Sequence, residues 1–122
     1  FDDSRYDYTY SDMNGTTAFI TRGADIAFSR GMIIVNAAGN SGDNPWHYIN
    51  APADGFNVLT VGAVDSYENI TGFSSYGPTS DGRIKPEVNA KGGGATIIDD
   101  SGNVSTGSGT SFSSPIFQFN AK

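Results

Sequence analysis

The chain has 122 residues, a length typical of one domain. Seven Lys and Arg residues against thirteen Asp and Glu give a net charge of −6, which disfavours nucleic-acid binding through phosphate neutralisation. Hydrophobic residues make up 37% of the chain, enough to build a core and to argue against wholesale disorder. The absence of cysteine excludes disulfides, a thiolate nucleophile and Cys-ligated metals in this chain.

The N-terminal third of the chain contains an acidic segment followed by a helical pattern. Residues 1–13 are rich in Asp and Tyr, and we expect a solvated loop there rather than a strand. Residues 16–30 are predicted to form an amphipathic helix. Thr16 or Thr17 would cap its start, and Gly31 would take the left-handed position after its end. Four apolar side chains recur at helical spacing and define the expected buried face: Ile20, Ala24, Ala27 and Phe28.

Two apolar segments, 32–35 and 58–64, predict short buried strands. Strands that are apolar throughout are typical of a parallel sheet covered on both faces. A helix leading directly into such a strand indicates an α/β fold. Farther along, 95–98 is the clearest strand and 99–102 is expected to form a turn. There is no internal repeat and no linker, so we expect a single unit incomplete at both ends.

The segment 107–115 reads Gly-Ser-Gly-Thr-Ser-Phe-Ser-Ser-Pro and predicts a tight turn followed by a helix. Thr110 or Ser111 could cap that helix, and Pro115 would fall in or just past its first turn. A serine at a helix N-terminus lies near unpaired N–H groups, which favour a developing negative charge. Taken alone, such a turn is most often only a helix cap.

The segment 33–42 predicts a strand that ends in small residues followed by Gly39 and Asn40. Open α/β sheets bind ligands in crevices at the carboxyl ends of their parallel strands. The Asn40 amide at that position could donate a hydrogen bond to an oxyanion. Otherwise Asn40 is a turn residue, so both interpretations stay open on the residues alone.

Together these segments resemble motifs of the subtilisin-like serine proteases, or subtilases. The segment 109–115 is similar to the nucleophile motif Gly-Thr-Ser-x-x-x-Pro of that family, and 37–40 is similar to its Ala-Ala-Gly-Asn motif. The resemblance covers about residues 17–116. Three further segments are similar to family segments in the same order: 61–65, 73–78 and 85–88.

The resemblance implies a partial subtilisin-like three-layer α/β fold with a mostly parallel sheet, and a serine endopeptidase. Ser111 would be the nucleophile. The Asn40 amide and the backbone N–H of Ser111 would bind the oxyanion, and donors of this kind supply on the order of 10²–10³ in rate in these enzymes. Ala37, Ala38 and Gly39 would line the pocket for the substrate side chain before the cleaved bond.

The sequence departs from the family in what precedes Asn40. The family's catalytic Asp and His come before this asparagine, yet residues 1–39 contain no histidine. The single histidine, His47, follows Asn40 and is expected to be a surface or loop-packing residue rather than the base. We therefore expect part of a catalytic domain that is inactive alone. Its expected parts are an acidic loop (1–15), the matching region (16–116) and a divergent end (117–122).

The expected partners are a protein or peptide substrate and the missing N-terminal half of the domain, with a homodimer or strand exchange as a further possibility. No nucleic acid and no membrane span are expected. No cofactor is required, and a structural calcium ion is possible. Solvated carboxylates are nevertheless the preferred interpretation of Asp43, Asp54, Asp99 and Asp100.

The resemblance implies a secreted or cell-envelope location of the bacterial type. Two other functions stay open. One is a non-catalytic pseudoprotease remnant. The other is an acidic peptide- or carbohydrate-binding module that uses Trp46, Tyr48 and the N-terminal tyrosines.

Overall fold

The computed structural model describes residues 7–120, which form a mixed α/β arrangement with two α-helices and five strands. A short 3₁₀ helix, Tyr10–Asp12, comes first. The helices are α1 (Phe19–Ser29) and α2 (Thr110–Asn120). The strands are β1 (Ile34–Ala37), β2 (Val58–Val64), β3 (Val88–Lys91), β4 (Ala95–Ile98) and β5 (Val104–Gly107). The expected fold class, with its parallel sheet, is confirmed.

The centre of the fold is a three-stranded parallel sheet in the order β1-β2-β3. Strands β4 and β5 form a separate antiparallel hairpin. Helix α2 contacts all three strands of the parallel sheet, whereas α1 contacts mainly β1. Because the strands are parallel, their carboxyl ends lie at one edge of the sheet. Neither helix in the described part of the chain is long and apolar enough to cross a membrane.

The predicted strands 58–64 and 95–98 are confirmed as β2 and β4. Strand β1 begins at Ile34, two residues later than predicted, and continues through Asn36 to Ala37. The sequence analysis missed β3 and β5. Both are four-residue strands whose exposed and half-buried side chains alternate, so neither contains an apolar run.

The start of α1 corrects two expectations. The helix begins at Phe19, and its N-cap is Ala18, without a side-chain capping bond. Thr16 and Thr17 instead donate their backbone N–H groups to Oδ1 of Asn14, at 2.9 and 3.0 Å. The capping role predicted for the two threonines is therefore wrong. Gly31 adopts the predicted positive φ, +89°.

The buried face of α1 also differs from the prediction. Ile20 and Phe28 are 55% and 45% exposed, whereas Thr21 is fully buried. The reason is a polar contact: the Thr21 hydroxyl donates a 2.6 Å hydrogen bond to Oδ1 of buried Asp54. The other carboxylate oxygen of Asp54 accepts the N–H of Gly15 at 2.8 Å. Thr21 therefore lies on the buried side of α1, where it binds Asp54, while Ala24 and Ala27 of the predicted apolar face are half-buried.

The two ends of the described chain are more ordered than the sequence suggested. Residues 1–6 of the predicted N-terminal loop lie outside the described residues, and 7–9 are exposed. Met13, in contrast, is only 2% exposed, so the solvated loop does not extend to residue 13. At the other end, Pro115 lies inside α2, beyond its first turn, and the helix continues to Asn120.

Lys85 and Glu87 complete the hydrogen bonding at the start of β2. The register pairs Val61 with Val88, so β3 begins too late to pair with the first residues of β2. The Lys85 ammonium donates to the carbonyl of Val58 at 2.6 Å and lies 2.5 Å from Glu87. Glu87 accepts the N–H of Thr60 at 2.8 Å. The side chains of Lys85 and Glu87 thus bind the backbone groups of β2 that β3 does not reach.

Replacing Lys85 with Met should destabilise the protein by about 2–4 kcal/mol, because the change leaves the Val58 carbonyl and the Glu87 carboxylate without their cation. Urea unfolding would measure the effect. The matched control is Lys91→Met, at an exposed lysine in β3, for which we expect a change within about 0.5 kcal/mol. Equal losses in the two variants would contradict the role assigned to Lys85.

The hydrogen bonds of Asp81 should make the turn at residues 79–83 sensitive to acid. Arg83 Nε donates to its carboxylate at 2.8 Å, and Thr79 donates to its other oxygen. These two hydrogen bonds hold the pKa of Asp81 below its ordinary value of 3.8, and the bond from Arg83 has the larger effect. Because the folded-state pKa is depressed, the stabilisation is present above pH 3.8 and is lost as the pH falls through the folded-state pKa. An NMR titration should show the lowered pKa, and Asp81→Asn should remove this part of the acid sensitivity.

Candidate active site

The carboxyl end of β1 and the N-terminus of α2 meet at one point. Beyond β1, the Ala38 N–H donates to the carbonyl of Val61 at 2.9 Å, which continues the sheet for one more residue. The chain then turns at Gly39, whose φ of +115° favours glycine. This turn carries Asn40 away from the sheet and towards the first residues of α2.

Asn40 is joined to Thr110 by two hydrogen bonds. Its Oδ1 accepts the backbone N–H of Thr110 at 2.8 Å and the Thr110 hydroxyl at 2.9 Å. The hydroxyl oxygen of Thr110 in turn accepts the N–H of Gly39 at 3.2 Å. Since both bonds to Asn40 require an acceptor, the amide oxygen faces Thr110. The Asn40 NH₂ group is therefore directed to the other side and is free to donate.

Ser111 is the second residue of α2 and its side chain is exposed. Its backbone N–H is among the first four of the helix, which have no partner within the helix. The positive end of the helix dipole lies at the same place. The two predicted oxyanion donors are the Asn40 amide and the Ser111 N–H. Asn40 binds Thr110, and Ser111 follows Thr110 in the chain, so the contact brings the two donor residues together.

The three predicted pocket residues differ in their surroundings. Ala37 and Gly39 are half-buried, but the side chain of Ala38 is fully buried against Ile49 and Ala53. Ala38 can therefore line a pocket only through its backbone. Its carbonyl already accepts the N–H of Asn50 at 3.1 Å.

His47 lies in an aromatic cluster rather than beside Ser111. Its ring packs against Tyr48 and Tyr76, with centroid distances of 4.0 and 5.1 Å, and its Nδ1 is 3.2 Å from the carbonyl of Pro45. Tyr10 also stacks on Tyr48, with a centroid distance of 3.8 Å. Tyr76 nevertheless stays 48% exposed, so part of the ring surface of this cluster is accessible.

The carboxylates considered for calcium do not converge on one point. Among residues 7–120, no group of three or more His, Asp and Glu side chains could hold a metal ion. Asp54 is buried and accepts hydrogen bonds from Gly15 and Thr21, as described above. Asp99 accepts two backbone N–H groups within its own turn. A structural calcium ion stays a prediction.

Thr110 is the site residue whose role the sequence analysis missed, because it was considered only as a possible helix cap. It is 1% exposed and binds Asn40 and Gly39 at once. The feature of the sequence that could have indicated this role is the position of Thr110 directly before Ser111 in the Gly-Thr-Ser motif. Only the fold brings residues 39–40 and 110 together across 70 residues of chain.

A family model for the subtilase peptidases matches residues 6–117, nearly the whole chain. The chain belongs to the subtilase family. It is 37% identical over 91 residues to the human membrane-bound transcription factor site-1 protease, a match that covers 70% of this chain and 9% of the relative. It is also 37% identical over 103 residues to subtilisin DY of Bacillus licheniformis, covering 84% of this chain and 35% of the relative.

Solved subtilase-like structures agree with this assignment. The prenylagaramide maturation protease PagA superposes with a TM-score of 0.66 at 26% identity, over 80% of this chain and 33% of PagA. The S218A mutant of the protease domain of PatA superposes with a TM-score of 0.64 at 28% identity, over 78% and 32% of the two chains. The chain thus spans about a third or less of the length of these relatives.

Replacing Thr110 with Val should destabilise the subtilase chain by about 1–3 kcal/mol, because the N–H of Gly39 loses its acceptor and Asn40 loses one donor. Thr110→Ser keeps the hydroxyl and should recover most of the loss. Urea unfolding of both variants measures the difference. A valine variant as stable as the serine variant would show that the hydroxyl does not hold the two segments together.

Proposed function

We propose that the chain supplies the nucleophile and the oxyanion-binding groups of a subtilisin-type serine endopeptidase. In this role Ser111 Oγ attacks the scissile carbonyl carbon, while the Asn40 amide and the Ser111 N–H receive the developing oxyanion. The observation that carries the proposal is the Asn40–Thr110 contact, which holds the Asn40 side chain beside the start of α2 through its amide oxygen and leaves its NH₂ group free to donate. The family membership and the protease names of the relatives support it.

The proposed reaction proceeds through an acyl-enzyme. The bond from Ser111 Oγ to the carbonyl carbon forms first, and the serine proton passes to a general base. The C–N bond then breaks as that proton reaches the leaving amine. Water then attacks the acyl carbon and passes a proton to the base. The bond to Ser111 Oγ breaks as that proton returns to the serine.

The general base is proposed to come from outside these 122 residues. No described histidine or carboxylate is hydrogen-bonded to Ser111, and His47 is held in the aromatic cluster. Without a base, a serine hydroxyl is protonated at neutral pH and is a weak nucleophile. We therefore propose that further polypeptide supplies the triad Asp and His, and that the chain alone is inactive.

The proposed substrate is an extended peptide whose side chain before the cleaved bond lies beside the backbone of residues 37–39. The half-buried Ala37 and Gly39 leave part of that backbone accessible. We further propose an extracellular or cell-envelope location, for which the family resemblance is the support. Homodimerisation and strand exchange stay predictions, motivated by the open edges of β1 and β3.

A fluorophosphonate serine probe, read by intact mass, tests the isolated chain. We expect no Ser111-dependent adduct, since no base reaches the hydroxyl, and Ser111→Ala gives the background. A stoichiometric adduct that disappears in Ser111→Ala would show that a base does reach Ser111, and the proposed inactivity would be wrong.

The catalytic role is tested in a natural polypeptide that contains these residues together with an Asp–His pair. With a chromogenic peptide substrate, Ser111→Ala should lower kcat by more than about 10³-fold and Asn40→Ala by about 10²–10³-fold. Unchanged hydrolysis in the Ser111→Ala variant would favour the pseudoprotease alternative, in which the fold acts only by association.

A further inference from the structure

The segment 73–75 lies beside the turn that carries Asn40. It belongs to one of the motifs that resemble the family, but the proposed mechanism gives it no part. Its serines are nearly fully buried, with exposures of 4% for Ser74 and 1% for Ser75. Three hydrogen bonds join it to residues 39–42: Ser75 N–H to the Gly39 carbonyl (2.9 Å), Ser41 N–H to Ser75 Oγ (3.0 Å) and Gly42 N–H to the Phe73 carbonyl (2.8 Å).

Ser75 holds both peptide groups that flank Asn40. Its backbone N–H binds the carbonyl of the peptide before Asn40, and its hydroxyl oxygen accepts the N–H of the peptide after it. The orientations of these two peptide planes define φ and ψ of Asn40. They therefore set the direction in which the Asn40 side chain leaves the backbone.

We propose that Ser75 is a positioning residue that fixes the backbone of Asn40 so that its amide points at the oxyanion. The inference rests on the proposed role of Asn40 as an oxyanion donor. Thr110 holds the side-chain oxygen of Asn40, whereas Ser75 holds its main chain. With both ends fixed, the free NH₂ group is preorganised, as electrostatic stabilisation of a transition state requires.

The close approach of Ser75 also explains why residue 39 is glycine. A Cβ at Gly39 would lie 2.9 Å from Ser75 Oγ and 2.6 Å from Nδ2 of Asn50, distances that real Cβ atoms essentially never show. Since φ of Gly39 is +115°, a side chain there would be strained as well. Glycine at position 39 therefore leaves the space in which Ser75 approaches the backbone on both sides of Asn40.

Ser74 provides a matched control. It precedes Ser75 directly and is almost equally buried, but its hydroxyl accepts the N–H of Ala63 in β2 at 3.0 Å. Removing either hydroxyl deletes one buried side-chain acceptor of a backbone N–H. Only the Ser75 hydroxyl contacts the Asn40 turn, so the two alanine variants separate positioning from stability.

The first test is NMR on the 122-residue chain. In Ser75→Ala, the Ser41 N–H should exchange at least about tenfold faster, and the Asn40 NH₂ group should become more mobile. In Ser74→Ala, the faster exchange should be confined to Ala63, with Asn40 unchanged. If Ser75→Ala does not fold, Ser75→Cys serves, because sulfur is only a weak acceptor. An Asn40 NH₂ group that is equally ordered in both variants would overturn the inference.

The second test measures kcat in the polypeptide that carries the Asp–His pair. Ser75→Ala should lower kcat by roughly tenfold with little change in KM. In an Asn40→Ala background, the same change should have almost no further effect, because Ser75 acts through Asn40. Equal losses in both backgrounds would mean that Ser75 has only a structural role. If Asn40→Ala itself leaves kcat unchanged, the proposed function fails, while the NMR result still stands or falls by itself.

Discussion

The contact between the Asn40 carboxamide and Thr110 is the constraint on which the candidate site depends. It joins the carboxyl end of β1 to the first turn of α2, two elements separated by about 70 residues of chain. Because the amide oxygen is consumed by Thr110, the amide nitrogen is left free. One pair of hydrogen bonds therefore both closes the fold and orients the group that the proposed chemistry needs.

The surrounding structure supports this contact from several directions. The parallel register of β1 and β2 brings the Asn40 turn to the edge of the sheet where α2 begins. Polar side chains bind backbone groups where β2 begins before its pairing with β3, as Lys85 and Glu87 do. Buried polar atoms are costly unless they are paired, so each of these contacts fixes one local arrangement. The site is thus held by hydrogen bonds more than by a large apolar core.

Apolar runs and short motifs made much of the molecule predictable from sequence. The bounds of β2 and β4 followed from largely apolar segments, and the segment 107–115 predicted the helix that begins at Thr110. The burial of Thr21 in α1 was not predictable in this way, since its hydrogen-bond partner Asp54 lies over thirty residues farther along the chain. The parts played by Thr110 and Ser75 were hidden for the same reason. They depend on contacts between distant segments, which no local pattern encodes.

The two outer strands of the sheet differ in their protection against association. Strand β3 has Glu87 just before it and Lys91 at its end, and charges on an edge strand discourage pairing with other chains. Strand β1 reads Ile-Val-Asn-Ala and follows Met32 and Ile33, which are 59% and 82% exposed. The β1 edge is therefore less protected against pairing with other chains than the β3 edge. Aggregates of this chain would begin at the β1 edge, and a single lysine placed at Ile33 would act as a gatekeeper there.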